Sequence, residues 1–193
     1  MAVAESVPAP TELEAGLAPQ SDLRLSLLMA SLLGGQIDVS EGPFPGENQA
    51  RNALALGVAI DHMLSRTFYV GLAPQYVVNV QKSLGGESFR QFDVALRMGA
   101  QSQLTQRLHL FSHIAGGYSM MLLSADSGLG DTHPKGMFVS FATGGTFDIA
   151  SSLFATAELG YQLALDKTGV DGGRTLSVNT RFLRCGLGFG LRL

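Results

Sequence analysis

The sequence predicts an all-β protein, an eight-stranded antiparallel β-barrel whose strands follow one another up and down, as in a meander. Large apolar side chains alternate with small or polar ones over long segments, and a period of two residues is typical of strands. Glycine is frequent, with 24 among 193 residues, which disfavours long helices. The segments are joined alternately by short and long connections, as expected for strands that run between two ends.

The barrel is predicted over residues 21–193, and residues 1–20 are predicted to be a flexible tail at the short-connection end. The tail is acidic, contains proline and shows no sustained alternation. No segment has the ~18 uninterrupted apolar residues of a transmembrane helix. Ala2-Val3-Ala4 resembles the end of a signal-peptidase site, but an intact signal peptide is missing. We therefore expect a mature chain whose signal peptide is absent or removed.

Eight segments carry the alternation. They are 22–36, 50–61, 67–81, 89–101, 106–123, 136–148, 152–165 and 176–193. The chain closes with "RCGLGFGLRL", in which Leu187, Phe189 and Leu191 share one face and glycine or arginine occupies the alternate positions of 184–192. Each segment is longer than a usual globular strand and reaches the about 9–11 residues that a tilted strand needs to cross a bilayer.

The connections differ in length at the two ends of the predicted barrel. The short ones are "HMLSR" (62–66), "SQLT" (102–105) and "IAS" (149–151), and the long, polar, glycine-containing ones are 36–48, 82–88, 124–135 and 166–174. Short periplasmic turns and longer extracellular loops are typical of bacterial outer-membrane barrels. Within the third segment, Pro74 cannot donate a ladder hydrogen bond, which predicts a β-bulge there.

The charged residues indicate that the apolar face points outward into lipid. Only 15% of the residues are charged, against about 25% in soluble domains. The other face carries sparse arginine and acidic residues among Gly, Ala, Ser and Thr, and it nearly lacks lysine, whereas a water-facing surface would be crowded with lysine and glutamate. A soluble lipocalin-like barrel, with its apolar face inside, is the alternative; such barrels usually have a tryptophan near the first strand, and this chain has none.

Outward aromatic side chains are predicted at two levels, as in the interfacial girdles of membrane barrels. Those near the long-connection end are Tyr76, Phe92, Tyr118 and Tyr161, and those near the short-connection end are Phe68, Phe147 and Phe189.

Residues 21–193 resemble the small eight-stranded outer-membrane barrels, the group of the OmpA transmembrane domain and OmpX. The resemblance implies a bacterial outer-membrane location, with outer-membrane lipid and lipopolysaccharide around the barrel. It also implies a C-terminal signal for the barrel-insertion machinery, which Gly188, Leu191 and Leu193 match, although Leu193 replaces the usual terminal aromatic residue. A peptidoglycan-binding domain follows the barrel in some members, and we do not expect that role for this chain.

Charged residues on the inward face are the main candidate site. They are Glu158, Arg184, Arg97, Asp93, His109, His113, Arg24, Arg192 and Asp61. Because an unpaired charge in a low-dielectric lumen is costly, we expect a connected network of ion pairs and hydrogen bonds that plugs the barrel. A tight last hairpin would set Glu158 close to opposite Arg184, with Arg97, Asp93 and the two histidines at comparable heights. A gated ion path through these groups is the alternative.

The motif "HLFSH" (His109 to His113) invites a catalytic interpretation, because lipid A deacylases of this size use a His, Ser and acidic triad on the outer wall. However, the alternation of side chains along a strand places Ser112 on the outward face and both histidines on the inward face. No catalytic site is therefore predicted. Two inward histidines without a third ligand do not make a metal site either. No cofactor is expected.

We therefore expect a non-enzymatic protein that acts structurally or through an extracellular ligand of its long loops. A net charge of −3 gives no reason to expect a nucleic-acid partner. The alternatives are a narrow gated channel for small ions or solutes and a soluble lipocalin-like carrier of small ligands.

Overall fold

The chain folds into a closed eight-stranded antiparallel barrel, as predicted. The computed structural model describes residues 23–41, 48–79, 88–124, 133–171 and 174–193. The strands are β1 (Leu23–Glu41), β2 (Asn48–Met63), β3 (Phe68–Asn79), β4 (Ser88–Gln103), β5 (Leu108–Ser124), β6 (Lys135–Asp148), β7 (Leu153–Asp171) and β8 (Arg174–Arg192). Residues 1–20, the predicted tail, lie outside the described part. The described residues contain no helix that is long and apolar enough to span a membrane.

Each strand pairs with the next one in the sequence, and β8 closes the barrel against β1. The closing ladder runs from Arg24 opposite Arg192 to Glu41 opposite Leu176. Closure gives every strand two neighbours, so that no open edge remains to recruit another chain.

Short turns join the strands at one end of the barrel, called the short-turn end below, and the other end is called the long-loop end. The turn after β2 is closed by a hydrogen bond from the Leu64 amide to the Phe68 carbonyl at 2.9 Å, and the turn after β4 by the equivalent bond from Leu104 to Leu108 at 2.8 Å. The hydroxyl of Ser65 accepts hydrogen bonds from the amides of Thr67 and Phe68. Side-chain capping of this kind explains why these turns are short and polar.

The last hairpin differs from the prediction. Residues 166–174 were expected to form a long loop, but β7 continues to Asp171 and β8 begins at Arg174. The pairing reaches Asp171 opposite Arg174, and the two residues between them in the sequence, Gly172 and Gly173, lie outside the described part. The polar residues before Gly172 extend the ladder beyond the apolar part of the strands, because backbone pairing does not require apolar side chains.

The bulge predicted at Pro74 is absent. Pro74 pairs with Val94 of β4, and the register with β2 is the same on both sides of it, from Gln75 opposite Gly57 to Leu72 opposite Ile60. Because proline has no backbone N–H group, Pro74 interrupts the hydrogen bonds to β2 without shifting the register of the two strands. A register irregularity occurs instead in β1, between Leu32 and Gly35.

The two faces of the sheet divide as the alternation predicts. Outward side chains such as Leu56, Leu96 and Leu187 are more than half exposed, whereas the inward Ala53 and Ala95 are buried. The barrel is thus apolar outside and filled inside, which is the reverse of a lipocalin-like carrier.

Candidate functional site

All nine of the predicted inward charged residues lie on the lumen face of the barrel. Six of them are buried, with no more than 8% of each residue exposed, and the side chains of the other three, Arg97, Arg184 and Arg192, are between 8% and 14% exposed. Among the described side chains, however, they form separate groups rather than one connected network. Their heights also differ, because His109 lies at the short-turn end while Asp93 lies in the long-loop half.

The ion pair between Arg97 and Asp61 spans an intervening strand. Arg97 Nε donates to Asp61 Oδ1 at 2.6 Å, and a second bond joins Arg97 Nη2 to Asp61 Oδ2. On β3, Gly71 lies opposite both residues. A Cβ atom at Gly71 would be 2.1 Å from Asp61 Oδ1. The absent side chain at this position is therefore what allows the bidentate pair to cross β3.

Glu158 and Arg184 meet in the middle of the lumen, but not in the predicted register. Gly186 lies opposite Glu158, and Gly160 lies opposite Arg184. The pair is therefore diagonal, with Arg184 Nε donating to Glu158 Oε1 at 2.7 Å. The bare Gly186 position holds the Glu158 side chain, since a Cβ there would be 2.8 Å from Glu158 Cγ.

Asp93 is bound by amides rather than by an arginine. Its carboxylate accepts hydrogen bonds from Gln75 Nε2 at 2.7 Å, Gln162 Nε2 at 2.9 Å and Gln91 Nε2 at 2.7 and 2.8 Å. Gln75 also accepts a hydrogen bond from Arg184, so this amide cage is joined to the Glu158–Arg184 pair. The glutamines were not predicted as site residues, although their inward parity was the available signal.

Asp148 organises the short-turn end of the lumen. It pairs with Arg192 Nη2, and its other oxygen lies 3.2 Å from His109 Nε2. Asp148 is not among the residues predicted from the sequence, because it lies beside a predicted turn, where a carboxylate is usually solvated. Arg24, which lies opposite Arg192, donates to Gln101 Oε1 at 2.6 Å.

His113 and Ser112 lie on opposite faces of β5. The hydroxyl of Tyr69 is 3.2 Å from His113 Nδ1 inside the barrel, and the Phe111 ring stacks on the imidazole with a centroid distance of 5.8 Å. Ser112 is exposed outside, where its hydroxyl donates to Thr143 Oγ1. This geometry does not assemble a serine nucleophile and a base. The described residues also contain no group of three potential metal ligands.

A cluster of buried apolar side chains lies in the long-loop half of the described lumen and was not predicted from the sequence. This apolar plug consists of Ala30, Leu32, Ala53, Ala55, Val77, Met121, Val178 and Phe182. Leu32, Val77, Met121, Val178 and Phe182 are fully buried. Toward the short-turn end, a small cavity of about 40 Å³ remains. Among the described side chains, an apolar layer thus lies in the long-loop half of the lumen, and ion pairs lie between it and the short-turn end.

Solved outer-membrane proteins share this architecture. Neisserial surface protein A matches with a TM-score of 0.55 and 10% identity, over 90% of this chain and 98% of that chain. OprG from Pseudomonas aeruginosa matches with a TM-score of 0.60 and 12% identity, over 89% and 96% of the two chains. The chain has the fold of a small outer-membrane β-barrel. AlkL, solved in lipid bilayers, matches this fold with a TM-score of 0.55 and 16% identity, over 99% and 98% of the two chains. No family model and no curated protein matches the sequence.

The aromatic residues predicted for the two girdles all lie exposed on the outer face of this outer-membrane β-barrel. Their exposed fractions range from 42% at Tyr76 to 64% at Phe189. Tyr76 and Phe92 are directly opposite each other on β3 and β4. Phe141, which lies opposite Tyr161, is a further exposed aromatic residue that was not predicted from the sequence.

The residues of the predicted insertion signal divide between the two faces of β8. Gly188 is buried against β1, where a Cβ would be 2.5 Å from the Leu27 carbonyl oxygen. Leu191 and Leu193 are exposed outside. Recognition by the insertion machinery stays a prediction.

Proposed function

We propose that the protein is a non-enzymatic integral protein of a bacterial outer membrane, with a plugged lumen and a structural or surface-interaction role through its extracellular loops. The observation that carries this proposal is an apolar exterior around a filled interior. Contiguous apolar surface of this extent is rare on soluble monomers and is favourable only when lipid covers it. Among the described residues, the side chains inside the barrel surround a cavity of about 40 Å³.

The proposal implies an orientation and a set of partners. The short-turn end faces the periplasm and the long-loop end faces outward, where lipopolysaccharide and an extracellular ligand would be met. The connecting residues that would contact such a ligand are 42–47, 80–87, 125–132 and 172–173, which lie outside the described part of the chain. Gly188, Leu191 and Leu193 would guide insertion.

Heat-modifiable migration of the detergent-solubilised protein tests the barrel in a membrane. An unboiled sample should migrate differently from a boiled one and should show β circular dichroism. A chain that stays soluble and monomeric without detergent, or that migrates identically before and after boiling, would contradict the proposal. Loop function is tested separately, by exchanging the loops while the strands are kept.

A narrow gated channel is the second candidate, and the mid-lumen ion pair favours it because one contact, Glu158–Arg184, bridges β7 and β8 beside the cavity. We expect no stable conductance from the unmodified protein, since eight strands leave room only for side chains. Planar-bilayer recordings should show no steady openings for it. Brief openings from Glu158→Ala, but not from Arg181→Met on the outer face, would support a channel closed by this pair.

A further inference from the structure

Arg24 is a buried cation that lacks a carboxylate of its own. It lies on the lumen face of β1 and is 8% exposed. One guanidinium nitrogen, Nη1, donates to Gln101 Oε1 at 2.6 Å. The other two nitrogens, Nε and Nη2, are buried without a hydrogen-bond partner. Buried donors of a charged group are costly to leave unsatisfied, so this position calls for an acceptor.

The carboxylates near Arg24 are already engaged by other arginines. Its neighbour Asp61, opposite on β2, forms the bidentate pair with Arg97. Its neighbour on β8 is Arg192, which pairs with Asp148 and adds positive charge beside Arg24. Three arginines therefore share two carboxylates at this end of the described lumen.

The compensating negative charge lies elsewhere. Asp93 is the carboxylate that has amides instead of an arginine as its partners, and it lies in the long-loop half. The arginines and carboxylates among the described inward side chains are thus balanced in number but polarised along the barrel axis. An anion at the short-turn end would neutralise the local excess in a region where charges are weakly screened.

A cavity of suitable size adjoins Arg24. It has a volume of about 40 Å³, and its lining includes Arg24, Ser26 and Thr146. Both hydroxyl residues are buried polar groups. Asp61 and Glu158 also line the cavity, but each is held by its own arginine. A volume of this size admits about three water molecules, or one small anion with a water.

We propose that this cavity binds a small monovalent anion, with the Arg24 guanidinium as the counter-charge and the Ser26 hydroxyl as a further donor. The anion is either a halide-sized ion from solution or a carboxylate of the chain's own N-terminal segment. Residues 1–22 contain Glu5, Glu12, Glu14 and Asp22 and no lysine or arginine, and they lead directly into β1. The chemistry is the same for both sources, and the experiment distinguishes them.

Bromide is the probe. In crystals of the full chain grown with sodium bromide, anomalous differences at the bromine edge should show a peak beside the Arg24 guanidinium if the occupant is an anion from solution. No bromide peak is expected there if a carboxylate of residues 1–22 occupies the site. In lipid vesicles, unfolding by urea is compared in bromide and in gluconate, which is too large for the cavity, at equal ionic strength. A dissociation constant of about 10 mM would make 100 mM bromide lower the unfolding equilibrium constant about tenfold.

Two variants assign the effect to the site. Arg24→Met should abolish the bromide dependence and should fold, since it removes an uncompensated charge from the lumen. Arg66→Met, at an exposed arginine of the first turn, is the matched control and should keep the full dependence. Because the diffraction measurement uses the unmodified chain, a variant that fails to fold does not weaken the test.

The acidic segment is tested by the full-length quadruple variant Glu5→Gln, Glu12→Gln, Glu14→Gln, Asp22→Asn. A bromide dependence already present in the unmodified chain and unchanged in the variant identifies an anion from solution. A dependence that appears only in the variant identifies a carboxylate of the segment as the occupant. The proposal is overturned if neither protein responds to bromide, or if Arg24→Met responds as fully as the unmodified chain.

Discussion

Breaking the ion pair between Glu158 and Arg184 should destabilise the folded barrel strongly. The Glu158 side chain is 2% exposed and that of Arg184 is 14% exposed, so neither charge is relieved by bulk water. Removing one partner of a buried pair costs about 3–5 kcal/mol. In Glu158→Gln, Arg184 keeps its hydrogen bond to Gln75, which places the expected loss near the lower end, at about 3 kcal/mol.

Arg184→Met should cost more. Among the described residues, Arg184 is the hydrogen-bond donor to the Glu158 carboxylate, and this carboxylate is the more buried partner. We expect a loss of about 4–5 kcal/mol. The double variant should lose less than the sum of the two single losses, by about 1–3 kcal/mol, because its second substitution removes a charge that the first one leaves unpaired.

Urea titrations of the barrel refolded into lipid vesicles measure these free energies of unfolding. Arg181→Met is the matched control, because Arg181 lies on the same strand but is exposed on the outer face; it should change stability by no more than about 0.5 kcal/mol. Strict additivity of Glu158→Gln and Arg184→Met would show that the two side chains do not interact. Equal effects of Arg184→Met and Arg181→Met would refute the reasoning as well.

The same titrations test three further predictions. Gly186→Ala should lower the free energy of unfolding by about 1–3 kcal/mol through overpacking. This loss should disappear in a Glu158→Ala background, because the three atoms nearest to the added Cβ all belong to Glu158. Gly116→Ala, whose Cβ would meet its nearest atom at 3.9 Å, is the control and should leave stability unchanged. Phe182→Ala should cost about 3–5 kcal/mol by opening a cavity in the apolar plug, and a smaller loss than that of an exposed Phe189→Ala would contradict its burial. Asp93→Asn should cost about 2 kcal/mol, because an amide donor would face three glutamine donors; unchanged stability would mean that the cage is not formed in solution.

Strand number and strand faces were predictable from the sequence because both follow from local alternation. In a barrel with lipid outside and side chains inside, a residue's parity decides its surroundings, as for Leu56 outside and Ala53 inside. Register was not predictable in the same way. The last hairpin stays paired as far as Asp171 opposite Arg174, and a register irregularity lies between Ala164 and Lys167. With this pairing, Gly186 rather than Arg184 lies opposite Glu158.

The partners of individual lumen charges were also beyond the sequence. The alternation along the strands predicts that Arg24, Asp61 and Arg97 face inward, but it does not predict which arginine forms the ion pair with Asp61. That choice depends on Gly71, which opens a direct path across β3 for Arg97 and leaves Arg24 without an anionic partner. Similarly, the alternation predicts that Phe182 faces inward, yet its place in the apolar plug depends on side chains of five strands, β1, β2, β3, β5 and β8, meeting at one height.

The glycines of β8 have a consequence for how this sequence can evolve. Gly186, Gly188 and Gly190 lie opposite Glu158, Thr156 and Phe154 of β7, so one strand provides the empty space and the other provides the volume. At Gly186 and Gly190 the nearest atoms belong to the side chain opposite, Glu158 or Phe154, so a larger residue there requires a smaller residue opposite it. Among homologous sequences, side-chain size at these two pairs of positions should vary inversely, and this covariation would record the register of the last hairpin without any structure.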